Sequence, residues 1–397
     1  TGSAFYGTYY DAHSGIASGL GTVRISLYAQ NGVNAGRWYY AGAWRSVAPS
    51  PADLPAASIW ASSWTYTPPG GLDTGVTYLL VSIAQDRAGN FQTAFSVGSS
   101  SNVFTVDNTP PASAITWPVS NFINDMTTLT GTAVDSPQSN QVSKVDLELV
   151  YPADTPQWAW NGSAWVAYTS DFATYFTATG GYPNWTYAVP AALKTQARYY
   201  RLTSRSADTS GNVESSFVNG TNQRYFRYDV SWPTSTITGI TQDSIVTATS
   251  TVYFHGITQV SGAMQDYPSS SDGSIGGVYI YIEKIDNIPM GASYCWDEAN
   301  GYWRNDICPV KNSATLGTGW QFNTNNVVWV SSYGWTNGGI FRIRSEARDT
   351  AAPGNAPPPA GNREQEGVYA SLPYVDLVFD NVKPASRFTN ISDGAQT

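Results

Sequence analysis

The sequence predicts an all-β protein, a tandem array of β-sandwiches arranged as an elongated rod. Three observations carry that expectation. Aromatic residues make up 14% of the 397 residues and charged residues only 12%, a balance that suits pleated, half-buried surfaces and leaves few charged helix formers. Short alternating apolar stretches are separated by Gly, Asn, Asp, Ser and Pro, the pattern of strands and turns. The same order of features then recurs three times along the chain.

The first pass ends YLLVSIAQDRAGNFQ (Tyr78 to Gln92) and VFTVDNTPP (Val103 to Pro111). The second ends YYRLTSRSADTSGNVES (Tyr199 to Ser215) and YFRYDVSWP (Tyr225 to Pro233), the third FRIRSEARDTAAPGN (Phe341 to Asn355) and YVDLVFDNVKP (Tyr374 to Pro384). Each is an alternating strand, an Asp-bearing turn, a second strand, an Asp and a proline joint. The interval from Asp86 to Asp208 equals that from Asp107 to Asp229. The front halves also align: Phe5 to Tyr28, Leu129 to Val150, and FHGITQVSGAMQDY from Phe254 with its hydrophobic-Gly strand start. In the middle of each pass lies an aromatic hairpin: RWYYAGAWRS, WAWNGSAWVA and CWDEANGYWR. Asn161-Gly162 and Asn300-Gly301 accept positive φ at the hairpin turns, and the Trp residues lie on flanking strand positions where cross-strand stacking is favourable. About seven short strands per pass is a sandwich signature.

VDNTPP, the Asp-x-x-Gly-Asn turn and the Asn-Gly aromatic hairpin resemble the tandem bacterial immunoglobulin-like (Big-type) repeat modules of large surface and secreted proteins. The resemblance covers nearly the whole chain. It implies modules at residues 1–109, 110–231 and 232–382, with 383–397 as the first strand of a following module. Such modules serve as spacers, stalks and adhesin arms, so the resemblance implies a structural, extracellular or cell-surface role and no enzyme. The joints DVSWPTS and DNVKPAS depart from the first joint, and the third module carries insertions.

The ends read as two parts of one module. Module 1 starts almost at its Tyr-Gly-Thr strand, and the tail PASRFTNISDGAQT supplies the strand it lacks: the interval from Pro384 through Thr397 and on to Gly7 matches that from Pro111 to Gly131. A sandwich short of that strand has an open sheet edge. The expectation is head-to-tail self-association, with Arg387, Phe388, Thr389, Asn390 and Ile391 of one unit beside Phe5, Tyr6 and Tyr9 of the next. Either a continuous repeating chain or strand donation between subunits achieves it. The bland alternative is an arbitrary boundary with a disordered tail.

The net charge of −9 with no basic patch argues against nucleic acid, and no apolar run reaches bilayer length. Cys295 and Cys308 flank the third hairpin and are expected to close it as a disulfide in an oxidising compartment. Asp86, Asp208 and Asp349 at the turns, with Asp107, Asp229 and Asp380 at the joints, are weak calcium candidates beside their ordinary role as turn residues. Trp160, Trp165, Trp296 and Trp303 are candidate stacking surfaces for host or matrix glycans, weighed against repeated packing. That gives the alternative function, a carbohydrate-binding adhesin module; an accessory region of a secreted hydrolase stands third. No catalytic motif accompanies His13 or His255. The sequons at Asn161, Asn184, Asn219 and Asn390 fit turns or strands without a glycan. Proline fixes φ at the joints and removes backbone donors, so short stiff linkers are expected.

Overall fold

The computed structural model describes residues 4–10, 19–60, 62–68, 71–136, 141–195, 197–242, 246–248, 251–254, 256–266, 275–286, 294–329, 338–351, 362–364, 368–380 and 382–387. The fold is all-β, with no α-helix among the described residues, and its sheets pair off into tandem sandwiches.

Module 1 contains β1 (Phe5–Thr8), β2 (Leu20–Ala29), β3 (Arg37–Tyr40), β4 (Ala43–Arg45), β5 (Ser58–Trp60), β6 (Ser63–Tyr66), β7 (Thr77–Asp86) and β8 (Ser101–Thr105). Its sheets are β1-β6-β5 and β4-β3-β2-β7-β8. Module 2 runs β9 (Ala112–Trp117), β10 (Phe122–Ile123), β11 (Thr128–Val134), β12 (Val142–Tyr151), β13 (Trp158–Trp160), β14 (Trp165–Ala167), β15 (Phe176–Thr177), β16 (Asn184–Ala188), β17 (Tyr199–Asp208) and β18 (Gln223–Tyr228). Here the sheets are β16-β11-β9 and β10-β18-β17-β12-β13-β14.

Module 3 opens with β19 (Thr234–Gln242), β20 (Val246–Ala248), β21 (Thr251–Phe254), β22 (Ile257–Gln265) and β23 (Ile275–Lys284). It continues through β24 (Tyr294–Asp297), β25 (Tyr302–Arg304), β26 (Asn312–Ser313), β27 (Thr315–Leu316), β28 (Trp320–Asn323), β29 (Ile340–Asp349) and β30 (Tyr374–Phe379). Its sheets are β19-β22-β28-β27 and β20-β21-β30-β29-β23-β24-β25.

One cross-strand pair marks the same place in every module. Gly7 faces Trp64, Gly131 faces Trp185 and Gly262 faces Trp320. Each indole lies over the glycine, where a Cβ would collide with the ring, so only glycine lets the indole reach the core. This corrects the alignment of the third front half. The strand equivalent to Leu129–Val134 is β22 with Gly262, whereas Phe254 ends β21, which joins the opposite sheet beside β30.

The cores differ in a way the strand inventory explains. Modules 2 and 3 each bury one continuous apolar cluster, the first including Ile115, Leu147, Leu202 and Phe226, the second Val260, Ile280, Ile343 and Leu377. Among the described residues module 1 has two smaller clusters of buried residues, Val23, Ile25, Ala57 and Trp64 in one and Leu27, Ala29, Val76 and Tyr78 in the other, with half-buried Phe5 and Leu80 packed against both. β11 lies between β16 and β9, and β22 between β28 and β19. Their counterpart β1 pairs with β6 on one side, and among the described residues no strand lies on the other. Leu80, Ser82 and Ala84 of β7 are consequently half-buried, while their equivalents Leu202, Ser204 and Ser206 in β17 are fully buried.

Candidate functional site

The module joints gather charge. Asp107 leaves β8, Asp135 follows β11 and Asp208 ends β17; carboxylate oxygens of the three lie within 4.8 Å of one another. At the next joint Asp229, Asp266 and Asp349 repeat the arrangement. One aspartate of each triad belongs to the preceding module's exit and two to the module that follows, so each triad straddles a joint.

Local backbone chemistry places them. Asp107 Oδ1 accepts from the Thr109 N–H at 3.1 Å and from its hydroxyl at 2.9 Å, and Asp229 does the same with Ser231 at 3.0 and 2.6 Å. These are Asx turns that stop the exit strand. Asp208 accepts from Asn212 N and Nδ2, both at 2.8 Å, and the same Nδ2 donates across the joint to the Asp107 carbonyl at 3.0 Å. Asn362 ties Asp349 to the Asp229 carbonyl likewise, at 2.7 and 2.9 Å. Asn124 Nδ2 adds a bond across the second joint, to Asn362 Oδ1 at 3.0 Å.

Asp135 stands apart. It is only 4% exposed, and neither carboxylate oxygen has a hydrogen-bond partner among the described residues. Burial, then the charges of Asp107 and Asp208, push its pKa above the ordinary carboxylate range. Asp349 is pushed up to about 7, by burial first and then by Asp266 and Asp229, against bonds from Ala351 and Asn362. Crowded, buried anions with free lone pairs are costly unless neutralised. Oxygens of this separation suit a hard cation bound at about 2.4 Å, and an all-oxygen set suits Ca²⁺.

Two sequence candidates, Asp107 and Asp229, therefore lie in these clusters, as do Asp208 and Asp349. Asp135 and Asp266 were missed. Their signal is that each stands four residues after the glycine beneath the indole, as Asp11 stands after Gly7. Asp86 accepts from Asn90 N and Nδ2, both at 2.8 Å, and Asp380 from Val382 N at 3.1 Å: the same two turns, in the first and last modules. Asp11 lies outside the described residues.

The glycan-stacking candidates are corrected. Trp160 is buried 5.6 Å from Trp165, and Trp296 is buried 5.7 Å from Trp303, both edge-to-face. Trp165 is half-buried and stacks at 3.8 Å on Tyr151. These hairpins fold inward and cap the core, where an indole buries more apolar area than any alternative; their faces meet protein. Tyr39 and Trp44 make the corresponding contact in module 1 at 5.4 Å. Cys295 and Cys308 are joined as a disulfide beside the third hairpin.

At the ends, Phe5 is half-buried against Phe104 and Tyr66, Tyr6 is exposed and Tyr9 half-buried. Pro384 to Arg387 form no strand and are exposed. Phe388, Thr389, Asn390 and Ile391 lie outside the described residues, as do His13 and His255. Among the described residues no helix is long and apolar enough to cross a membrane.

No protein-family profile matches the chain, and no curated protein does. Solved structures are similar to it. The FN1–FN3 domains of chicken CNTN1 match 96% of this chain and 95% of theirs, at 11% identity and TM-score 0.32. A tetra-tandem repeat from the extending region of a large adhesion protein matches 96% of this chain and 70% of its own, at 14% identity and TM-score 0.26. A Ca²⁺-stabilized adhesin with which an Antarctic bacterium reaches out and binds ice matches 95% and 68%, at 13% identity and TM-score 0.23. Identities and scores are low, and they record likeness without fixing what this chain does.

Proposed function

We propose that the chain is a structural segment of an extracellular stalk or filament, a rod of sandwiches whose joints are locked by Ca²⁺ and whose units join head to tail. The observation that carries it is the triad of aspartates repeated at both joints, each drawn from two modules. A cation there would be held by Asp107, Asp135 and Asp208, or by Asp229, Asp266 and Asp349, and would neutralise charge that otherwise drives adjoining modules apart. Asn212 and Asn362 already fix the joint backbone, so the cation would remove remaining bend rather than choose a direction.

Among the described residues β1 has a strand on one side only, which suits the head-to-tail part. A first strand like β9 or β19, supplied by a neighbouring unit, would complete the sandwich. Asp380 of that unit would then meet Asp86 and Asp11, giving the third joint the residues of the other two. The one disulfide and sparse charge suit life outside the cell.

Small-angle scattering with calcium and then with chelator tests this. A stiff, elongated particle at least three modules long that becomes more flexible on chelation is expected; a compact particle indifferent to both rejects it.

A further inference from the structure

One side of module 2 holds residues that its neighbours do not repeat. Where β17 pairs with β18, Tyr199 stands opposite Arg227 and Leu202 opposite Arg224. The same rungs are Thr77–Thr105 and Leu80–Asn102 in module 1, and Ile340–Val378 and Ile343–Val375 in module 3. Tyr225, opposite Arg201, is replaced there by Val103 and Asp376. The glycine beneath the indole and the aromatic hairpin recur three times because every sandwich needs them. Two arginines and two tyrosines kept together in one module do not serve the sandwich as such.

These four side chains line a cavity of about 550 Å³ between β18, the turn before it and the residues leading into β10, a size that suits a small ligand. Half-buried Tyr199 and Tyr225 stack with ring centroids 5.9 Å apart, and the Arg227 guanidinium lies 5.3 Å from the Tyr199 centroid. Arg227 is held in place: its backbone N–H donates to Asn121 O at 2.7 Å and its Nη1 to Ala197 O at 3.3 Å. Arg224 enters beside Gly220, which turns the chain at a φ of 90°. Its Nε is buried without a hydrogen-bond partner, and among the described residues no carboxylate pairs with it. Asn121 and Asn219 add exposed side chains to the lining, and no carboxylate joins them among the described residues.

In a chain of net charge −9, two guanidinium groups around an acid-free cavity make a positive point on a negative surface. A buried N–H without a partner is satisfied by an incoming acceptor, and a planar carboxylate meets a guanidinium through paired, charge-assisted bonds. Tyrosine rings present apolar faces to the C–H side of a pyranose. Asparagine amides both donate to hydroxyls and accept from them. The geometry points to a site for an acidic sugar, a carboxylate-bearing pyranose unit of a polysaccharide, its carboxylate held by Arg224 and Arg227 and its ring by Tyr199 and Tyr225. A sulfate or phosphate alone would use the arginines and leave the rings and amides without a role. The site shares no residue with the aspartate triads, so it goes beyond the joint-locking role proposed above and stands without it. A stalk with this cavity grips an anionic polysaccharide from its flank, whatever its tip contacts.

The test is calorimetric titration of the full chain with trigalacturonate, in chelator so that calcium bridges nothing, beside neutral trigalactose and inorganic sulfate. Expected is binding of the acidic trimer, weakened about tenfold or more by Arg224→Gln through loss of a charge-assisted bond, with the fold intact by circular dichroism. Asn219→Trp, at an exposed turn, should fill the cavity and abolish binding; it decides the matter where Arg224→Gln fails to fold. Trigalactose bound as tightly as trigalacturonate overturns the role of the arginines. Sulfate bound as tightly overturns the recognition of a sugar. No binding, or binding indifferent to both variants, overturns the site.

Discussion

Trp185 roofs Gly131: its ring covers the glycine Cα, and its Nε1 donates to the Thr132 carbonyl at 3.0 Å. Trp320 repeats this over Gly262, donating to Ala263 O at 3.1 Å. A methyl at Gly131 would strike both the indole and the Ala114 carbonyl. Gly131→Ala is expected to cost about 3 kcal/mol through overpacking, read as a lowered urea midpoint. Gly181→Ala is its control: nothing lies within 4 Å of the added carbon, and the change should stay within about 0.5 kcal/mol.

Glu214 gathers donors from Ser113, Ser206 and Asn222, the last at 2.8 Å. Glu214→Ala leaves those buried donors unsatisfied and is expected to cost about 3 kcal/mol or more, with Ser113→Ala costing about 2. Proteolysis should cut near β9 first in both variants. A loss no larger than that of an exposed substitution would show that β9 is held by its ladder bonds alone.

Calcium is expected to raise the melting temperature of the unaltered chain, by about 2.7 kcal/mol of stabilisation per site at a hundredfold excess over the dissociation constant. Asp135→Asn should abolish the share due to the first joint and Asp266→Asn that due to the second. In chelator the sign reverses for Asp135→Asn, which removes a buried charge crowded by Asp107 and Asp208 and so stabilises the apo chain. Calorimetry with and without calcium reads both.

Burial raises the Glu364 pKa above its ordinary value, against bonds from Ser235 and Ala347. A carboxyl with a raised folded-state pKa contributes stability that is complete below its unfolded value, about 4.3, and is lost as the pH rises through the folded value. Module 3 should therefore give up this contribution as the pH rises above about 4.3, and Glu364→Gln should flatten that part of the stability–pH curve. A variant whose curve overlays that of the parent would refute the assignment.

Fold class, repeat and hairpins were legible because each is written locally: alternation, Asn-Gly turns and paired aromatics lie within about ten residues of one another. The metal triads were legible in four of their six aspartates. Asp107, Asp208, Asp229 and Asp349 stand in recurring turns, whereas Asp135 and Asp266 end strands that carry no turn signature and meet their partners only in space. The third front half misled because Phe254-His255-Gly256 copies the strand start in sequence, while the glycine that matters, Gly262, is identified by its partner Trp320. For the tryptophans the sequence left glycan stacking standing beside repeated packing, because alternation places them on one face without saying that the hairpin folds inward.

β10 runs parallel to β18, and β21 parallel to β30, so in modules 2 and 3 an early and a final strand lie side by side, pointing the same way. Tension applied at the two ends of such a module slides these strands past each other, straining their bonds together, Arg227 N to Asn121 O and Asp229 N to Ile123 O in module 2, instead of peeling them one by one. Among the described residues β8 has no parallel companion of this kind. Under force, module 1 would be the first of the three to give way.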